Sequence, residues 1–330
     1  MPRIWDIHVH FPFRRGGPRD PRLGQDDPSL AETPDPQAAL DHLAERLREV
    51  GVIKASLLCP NRPAFATPPG AGAAPVPPLT HESCIEMAAK HADLFAPHAV
   101  VDPEVVTYER THELHDMGYK GLKIIGTRRP YDVRDYFPVY RAAEESGMPI
   151  LFHCGVIGGG IDWLTRHPRR NPESAKRLRE QDNPSPEQQA RPQQARGGRP
   201  TSATYMRPFH LETIANRFPR LKIIGAHLGG TGNYDEAASV ARWRRWVYFD
   251  MSGGRTIERH AVERGLIGKE IAIEKLIFGS DCPADEVYQH VERFTRIFND
   301  LGLSDEEKDL LWYRNAAELF GLEEPLRAED

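Results

Sequence analysis

Ile223-Ile224-Gly225-Ala226-His227-Leu228-Gly229-Gly230 is an apolar run closed by a histidine and a pair of glycines. It is too short for a buried helix, and its β-branched residues and flanking glycines read as a strand covered on both faces. The same grammar recurs in Ile150-Leu151-Phe152-His153-Cys154-Gly155 and in Ile277-Phe278-Gly279-Ser280-Asp281-Cys282-Pro283. Strands are expected over 4–9, 52–58, 95–101, 118–125, 149–153, 221–227, 247–251 and 275–279. Amphipathic patterns lie between them, as over 36–50, where Ala39, Leu40, Leu43, Leu47 and Val50 fall at helical spacing. Others run over 81–91, 135–146, 209–218, 235–244 and 285–301. Eight strands, each followed by a helix, fit an α/β fold closed as a (β/α)8 TIM barrel better than an open sheet.

Three segments interrupt this rhythm: 11–35, 60–79 and 155–207 are rich in Pro, Gly, Arg and Gln, with little periodicity. Outside them the chain is close to the length of an ordinary barrel, about 250 residues. Each follows a strand and precedes a helix, so all three belong to the face where the strands end, as walls or lids over a site. No internal repeat is visible, and 1–330 reads as a single domain. The formal charge of -5 lacks the basic balance that nucleic-acid binding requires, and the basic stretch 166–199 reads as a solvated loop. No apolar run approaches the roughly 20 residues of a membrane span, and the opening residues lack the long apolar core of a secretion signal. Four cysteines, Cys59, Cys84, Cys154 and Cys282, do not make a disulfide framework, so a reducing cytoplasm is the expected location. The expected partner is a small-molecule substrate, with neither nucleic acid nor membrane; a homodimer is compatible with the sequence.

The chemistry begins at Asp6-Ile7-His8-Val9-His10. Residues two apart on a strand point to one face, so both imidazoles can reach one point inside the barrel mouth. Borderline metals such as zinc favour neutral imidazole nitrogens. His153 ends the fifth strand, His227 the sixth and Asp281 the eighth. That places five donors at the ends of four strands, the face where barrel enzymes carry their chemistry.

This set resembles the amidohydrolase superfamily, in its amidohydrolase-2 branch, and the resemblance runs from Asp6 to Arg314-Asn315-Ala316-Ala317-Glu318-Leu319-Phe320-Gly321. The last stretch is similar to the family's closing helix, here 313–321. The resemblance implies a distorted (β/α)8 barrel and one divalent metal ion on His8, His10, His153 and Asp281, with zinc ahead of manganese or magnesium. It makes Asp281 and His227 the catalytic residues. Asp281 would move the proton of an attacking water, and His227 would orient that water or polarise the substrate. The implied reaction is hydrolysis of an ester, lactone or amide of a small carboxylate-bearing substrate. Non-oxidative decarboxylation of an aromatic or unsaturated acid uses the same ligands and stays open, as does a catalytically silent metal- or ligand-binding barrel. Lys123 ends the fourth strand, where binuclear members of the superfamily carry a carboxylated lysine; an anchor for a substrate carboxylate is the plainer expectation. Arg128, Arg129 and Arg207 offer bidentate partners for an acid. Ser252 follows the seventh strand, and Trp163 and Tyr205 either cover an apolar or aromatic substrate or only anchor the long loop to the barrel. Cys154 is expected to point away from the metal, and Cys59 and Cys282 to be small core or loop residues.

Overall fold

A computed structural model describes residues 2–12, 35–61, 79–157, 167–183, 201–253 and 260–322. Eight strands follow in chain order: β1 Ile4–His10, β2 Val52–Cys59, β3 Phe95–Val101, β4 Gly121–Ile124, β5 Ile150–Phe152, β6 Ile223–Gly225, β7 Val247–Asp250 and β8 Leu276–Ile277. All seven consecutive pairings are parallel, in the order β1 to β8. The ring closes by backbone bonds between its ends: the Ile7 amide donates to the Phe278 carbonyl at 3.0 Å and the Asp281 amide to the His8 carbonyl at 2.9 Å. The expected (β/α)8 barrel is the fold observed.

One buried cluster joins Trp5, Ile7, Leu58, Leu151, Ile224, Tyr248 and Ile277 from six strands and fills the barrel interior. A second, larger cluster packs Leu40, Leu43, Leu47, Leu211, Phe294 and Phe298 of the surrounding helices against the strands' outer faces. The helices start where the sequence supplies caps. Asp35 accepts the Gln37 amide and Pro36 takes the first position of α1, Pro36–Glu49. Thr80 and Ser83 form a capping box on α2, His81–Ala88. Thr107 caps α3, Tyr108–Asp116, a helix that hydrophobic spacing does not reveal because it buries only Thr111 and Leu114. Next come α4, Phe137–Glu145, and α5, Pro172–Asp182; α5 lies inside the segment 155–207 that has little visible periodicity. Then α6, Pro208–Arg217, α7, Tyr234–Trp243, and α8, Val287–Asp300, complete the ring as described.

The chain then runs through α9, Asp305–Asp309, a π-helical turn Leu310–Arg314 and α10, Asn315–Phe320. Ala316, Ala317 and Leu319 of α10 join the interior cluster, and Phe320 stacks on Trp5 with centroids 4.6 Å apart. This closing helix therefore plugs the end of the barrel where the strands begin, leaving the opposite mouth for chemistry. Gly121 at the start of β4 is sterically required: a Cβ there would meet the His98 ring at 2.4 Å and the Pro149 carbonyl oxygen at 2.9 Å. Most of 11–35 and 60–79, and the parts 158–166 and 184–200 of the third long segment, lie outside the described residues.

Candidate metal centre

The pairing of β1 with β2 slips between Asp6 and Val9, and such an irregularity re-aims the side chains within it. His8 lies inside this stretch and is buried, while the His10 side chain just beyond is 47% exposed at the mouth. Both turn toward Asp281. His10 Nε2 lies 3.0 Å and His8 Nε2 3.6 Å from Asp281 Oδ1, and the ligating atoms of the three residues all fall within 4.8 Å of one another. The amide of Asp281 is the one that donates to the His8 carbonyl, so one of the two bonds that close the barrel also seats the carboxylate over the imidazole. Asp281 holds φ at +47°, and His227 and Leu228 lie at +61° and +50°. These three are the non-glycine residues with positive φ among the described residues, and such strain gathers where function over-determines the backbone.

The electrostatics suit metal binding. Burial, with Lys123 nearby, outweighs two carboxylates and pushes His8 down to about 4, so the ring is neutral with a lone pair to give. Burial and the neighbouring His227 and Lys123 hold His153 well below its ordinary value, and burial likewise lowers His227. Burial alone would raise the Asp281 carboxyl; the adjacent His8, His10 and His227 rings and the hydrogen bond from His10 reverse that and hold it well below its ordinary value.

Asp250, the last residue of β7, organises the floor of the site, and sequence reasoning missed it. Its Oδ2 accepts His8 Nδ1 at 2.8 Å; its Oδ1 accepts the amides of His227 at 2.8 Å and Ser252 at 3.0 Å and the Ser252 hydroxyl at 2.5 Å. Burial opposes its ionisation, but His8, His227 and Ser252 together carry it below the usual carboxylate range. A carboxylate on Nδ1 leaves Nε2 of His8 as the basic nitrogen, the arrangement that orients metal-binding histidines. Asp6, also missed, is fully buried and pushed up to about 7 by that burial; its Oδ1 accepts the His8 and Ser280 amides at 3.1 and 2.9 Å. The available signal was an acid inside an apolar run, since a buried carboxylate must find partners.

His8, His227 and Asp250 form a second close group of ligand-type atoms, but the Ser252 hydroxyl occupies it, 2.9 Å from His227 Nδ1 and 3.2 Å from His8 Nδ1. The single hydroxyl proton goes to Asp250, so Ser252 accepts from His227 Nδ1–H. His227 Nε2 is then bare and accepts His153 Nδ1–H at 3.1 Å, while His153 Nε2 lies 3.4 Å from the Val156 carbonyl oxygen. The chain Asp250–Ser252–His227–His153 thus sets two tautomers from one carboxylate. His153 stands outside the 4.8 Å group of His8, His10 and Asp281, and His227 has both ring nitrogens engaged, 4.0 Å from Asp281 at the nearer approach. Ser252→Ala is expected to release His227 and His153 into mixed tautomers, seen as averaged imidazole nitrogen shifts in long-range proton–nitrogen NMR spectra; unchanged shifts would break the chain as drawn.

The other sequence candidates are placed as follows. Lys123 is 1% exposed, its Nζ 3.4 Å from His8 Nε2; burial lowers it to about 8, against the pull of Asp250 and Asp281. Arg128 lies 3.8 Å from Glu104, Arg129 bonds Glu104 and Asp135, and Arg207 bonds Glu236, so carboxylates of the chain already hold all three. Ser252 serves the histidines rather than open space, being buried. Tyr205 lends its carbonyl to the Tyr131 amide, and Trp163 lies outside the described residues. Cys59 and Cys154 are buried, Cys282 half-buried, and none is in a disulfide. No helix among the described residues is long and apolar enough to cross a membrane.

Residues 5–322 match a family model described as amidohydrolase. No curated protein matches the chain in sequence. Among solved structures, a probable 2-pyrone-4,6-dicarboxylic acid hydrolase from Acinetobacter baumannii, with citric acid bound, is 15% identical at a TM-score of 0.56, covering 96% of this chain and 99% of its own. A 5-carboxyvanillate decarboxylase from Novosphingobium aromaticivorans, with bound manganese and a nitrobenzoic acid, is 14% identical at 0.55 over 96% and 97%. A 2,6-dihydroxybenzoate decarboxylase complexed with 2,6-dihydroxybenzoate is 17% identical at 0.56 over 97% and 98%. At these identities the likeness is one of fold.

Proposed function

Because this chain belongs to the amidohydrolase family, we propose that it is a metal-dependent hydrolase that adds water across an ester, lactone or amide of a small substrate. The observation that carries this is the convergence of His8, His10 and an ionised Asp281 on one point at the open mouth. These donors fit a divalent cation, and His153 would offer a fourth by giving up the 3.4 Å contact of its Nε2 with the Val156 carbonyl. Zinc suits the nitrogen-rich set; manganese, bound in one relative of the same fold, is the alternative. Such a cation supplies Lewis acidity and lowers the pKa of a water to roughly 7.

The chain's own groups do the rest. Asp281 takes a proton from the attacking water as the water oxygen bonds to the carbonyl carbon. It returns that proton to the departing oxygen or nitrogen as the old bond breaks. His227 does not face substrate in this reading; through Ser252 and His153 it keeps the neighbouring imidazole in the tautomer that presents Nε2. Asp250 does the same for His8.

Protein purified without added metal is expected to carry about one equivalent of divalent cation by elemental analysis, as a single site requires. Metal-replete protein is then offered lactones, esters and amides beside aromatic acids, with acid release and CO₂ release followed in parallel. Acid release alone supports hydrolysis. CO₂ from an aromatic acid would replace it by decarboxylation, the reaction named for two relatives of the same fold. An inert, metal-replete protein across the whole panel would sink both.

A further inference from the structure

We propose that Lys123 is the anion-binding residue of this site, pairing its ammonium with a carboxylate oxygen of the substrate. The proposal deepens the hydrolase reading and rests on its metal set.

Lys123 lies on β4 between Val100 of β3 and Leu151 of β5, and neither apolar neighbour can offset its charge. An ammonium has three donors and no acceptor, and burying it is costly unless acceptors surround it. Among the described residues, its hydrogen-bond partner is His8 Nε2 at 3.4 Å. That nitrogen is the one Asp250 leaves basic, so it is also the one a cation takes. A nitrogen that gives its lone pair to a metal cannot accept from lysine as well. Loading the site therefore strips Lys123 of this acceptor and sets a second positive charge beside it.

The nearby carboxylates are already committed. Asp250 serves His8, His227 and Ser252 through both oxygens, and Asp281 faces His8 and His10. Neither makes a hydrogen bond to Lys123, though both attract it through space. What the loaded site lacks is an anionic oxygen beside Lys123, and a carboxylate on the substrate supplies it. Arg128, Arg129 and Arg207, the other candidates for that task, are each held by an acid of the chain. The inferred substrate class is thus a small carboxylic acid whose acid group enters deep in the mouth, beside the metal donors.

The test uses cobalt(II)-loaded protein, with acetate as the probe and the visible absorption of the ion as the readout. Wild type is expected to saturate with acetate, and Lys123→Met to need at least about tenfold more while holding the same cobalt content, the loss that one charge-assisted hydrogen bond implies. Lys123→Arg should fall between them, keeping the charge but misplacing it. Equal half-saturation in wild type and Lys123→Met overturns the proposal, as does a wild type whose spectrum acetate leaves unchanged. An added CO₂ in the intact mass, with a second metal equivalent, would also overturn it by making Lys123 a carbamate ligand. If Lys123→Met and Lys123→Gln both fail to fold or to take up cobalt, the lysine is structural and the proposal fails. Failure of the hydrolase reading is seen separately, as an inert substrate panel with the acetate difference intact.

Discussion

Asp281→Asn is expected to leave the fold and the bound metal in place and to lower turnover by about 10²–10⁴-fold, the usual worth of a positioned proton carrier. Asparagine has the same shape and keeps an oxygen toward His8 and His10. It also tolerates left-handed φ better than most residues, which matters at +47°. What it loses is the negative charge that accepts a proton, a charge maintained here by His8, His10 and His227 against burial. The measurement is kcat at saturating metal, with metal content checked on the same sample, so that weakened binding is not mistaken for lost chemistry. Turnover within a few-fold of wild type, with metal bound, would remove Asp281 from the proton path.

Asp250→Asn should act on metal affinity before it acts on chemistry. Its side chain makes four hydrogen bonds in the floor of the site: to the His8 ring, the His227 and Ser252 amides and the Ser252 hydroxyl. An amide in its place must turn an N–H toward either His8 Nδ1 or the donors on the other side. If it faces His8, that ring is driven to carry its proton on Nε2 and can no longer coordinate. Loss of such a partner costs about 10–100-fold in metal affinity. Leaving a buried donor of this set without its acceptor costs about 1–3 kcal/mol of stability. Competition against a chromophoric chelator reads the first and urea denaturation the second. Wild-type affinity in the variant would mean that His8 is oriented by something other than Asp250.

The two outcomes also separate the roles along the strands. Asp281 sits at the mouth, with a side chain 26% exposed, where a substrate proton can reach it; Asp250 is fully buried and can act only through its neighbours. Asp281→Asn should therefore keep kcat low even at saturating metal, while the loss in Asp250→Asn should be recovered when excess metal is supplied.

The donors at strand ends were legible because strand periodicity and the apolar-run-then-polar grammar locate a residue along its own element. His8, His10, His153, His227 and Asp281 were found that way. Asp250 was hidden by the same logic: it lies within the run Val247–Asp250, where an acid reads as an interruption rather than a signal. α3 escaped notice because it buries too little apolar surface to show a stripe.

By itself, the sequence determined the parallel eight-stranded barrel and the face on which its chemistry stands, because burial on both sides of a strand and on one side of a helix imposes a pattern on consecutive residues. Which donors meet was decided only by the closed barrel. His8 and Asp250 are 242 positions apart, and His153 and His227 are 74 apart. Their approach depends on barrel closure, on the slip in β1 and on the φ of +47° at Asp281. Hydrogen bonds act over about 3 Å, so no spacing along the chain states which imidazole keeps a free nitrogen. That choice falls to whichever carboxylate or hydroxyl the fold brings against the other side of the ring.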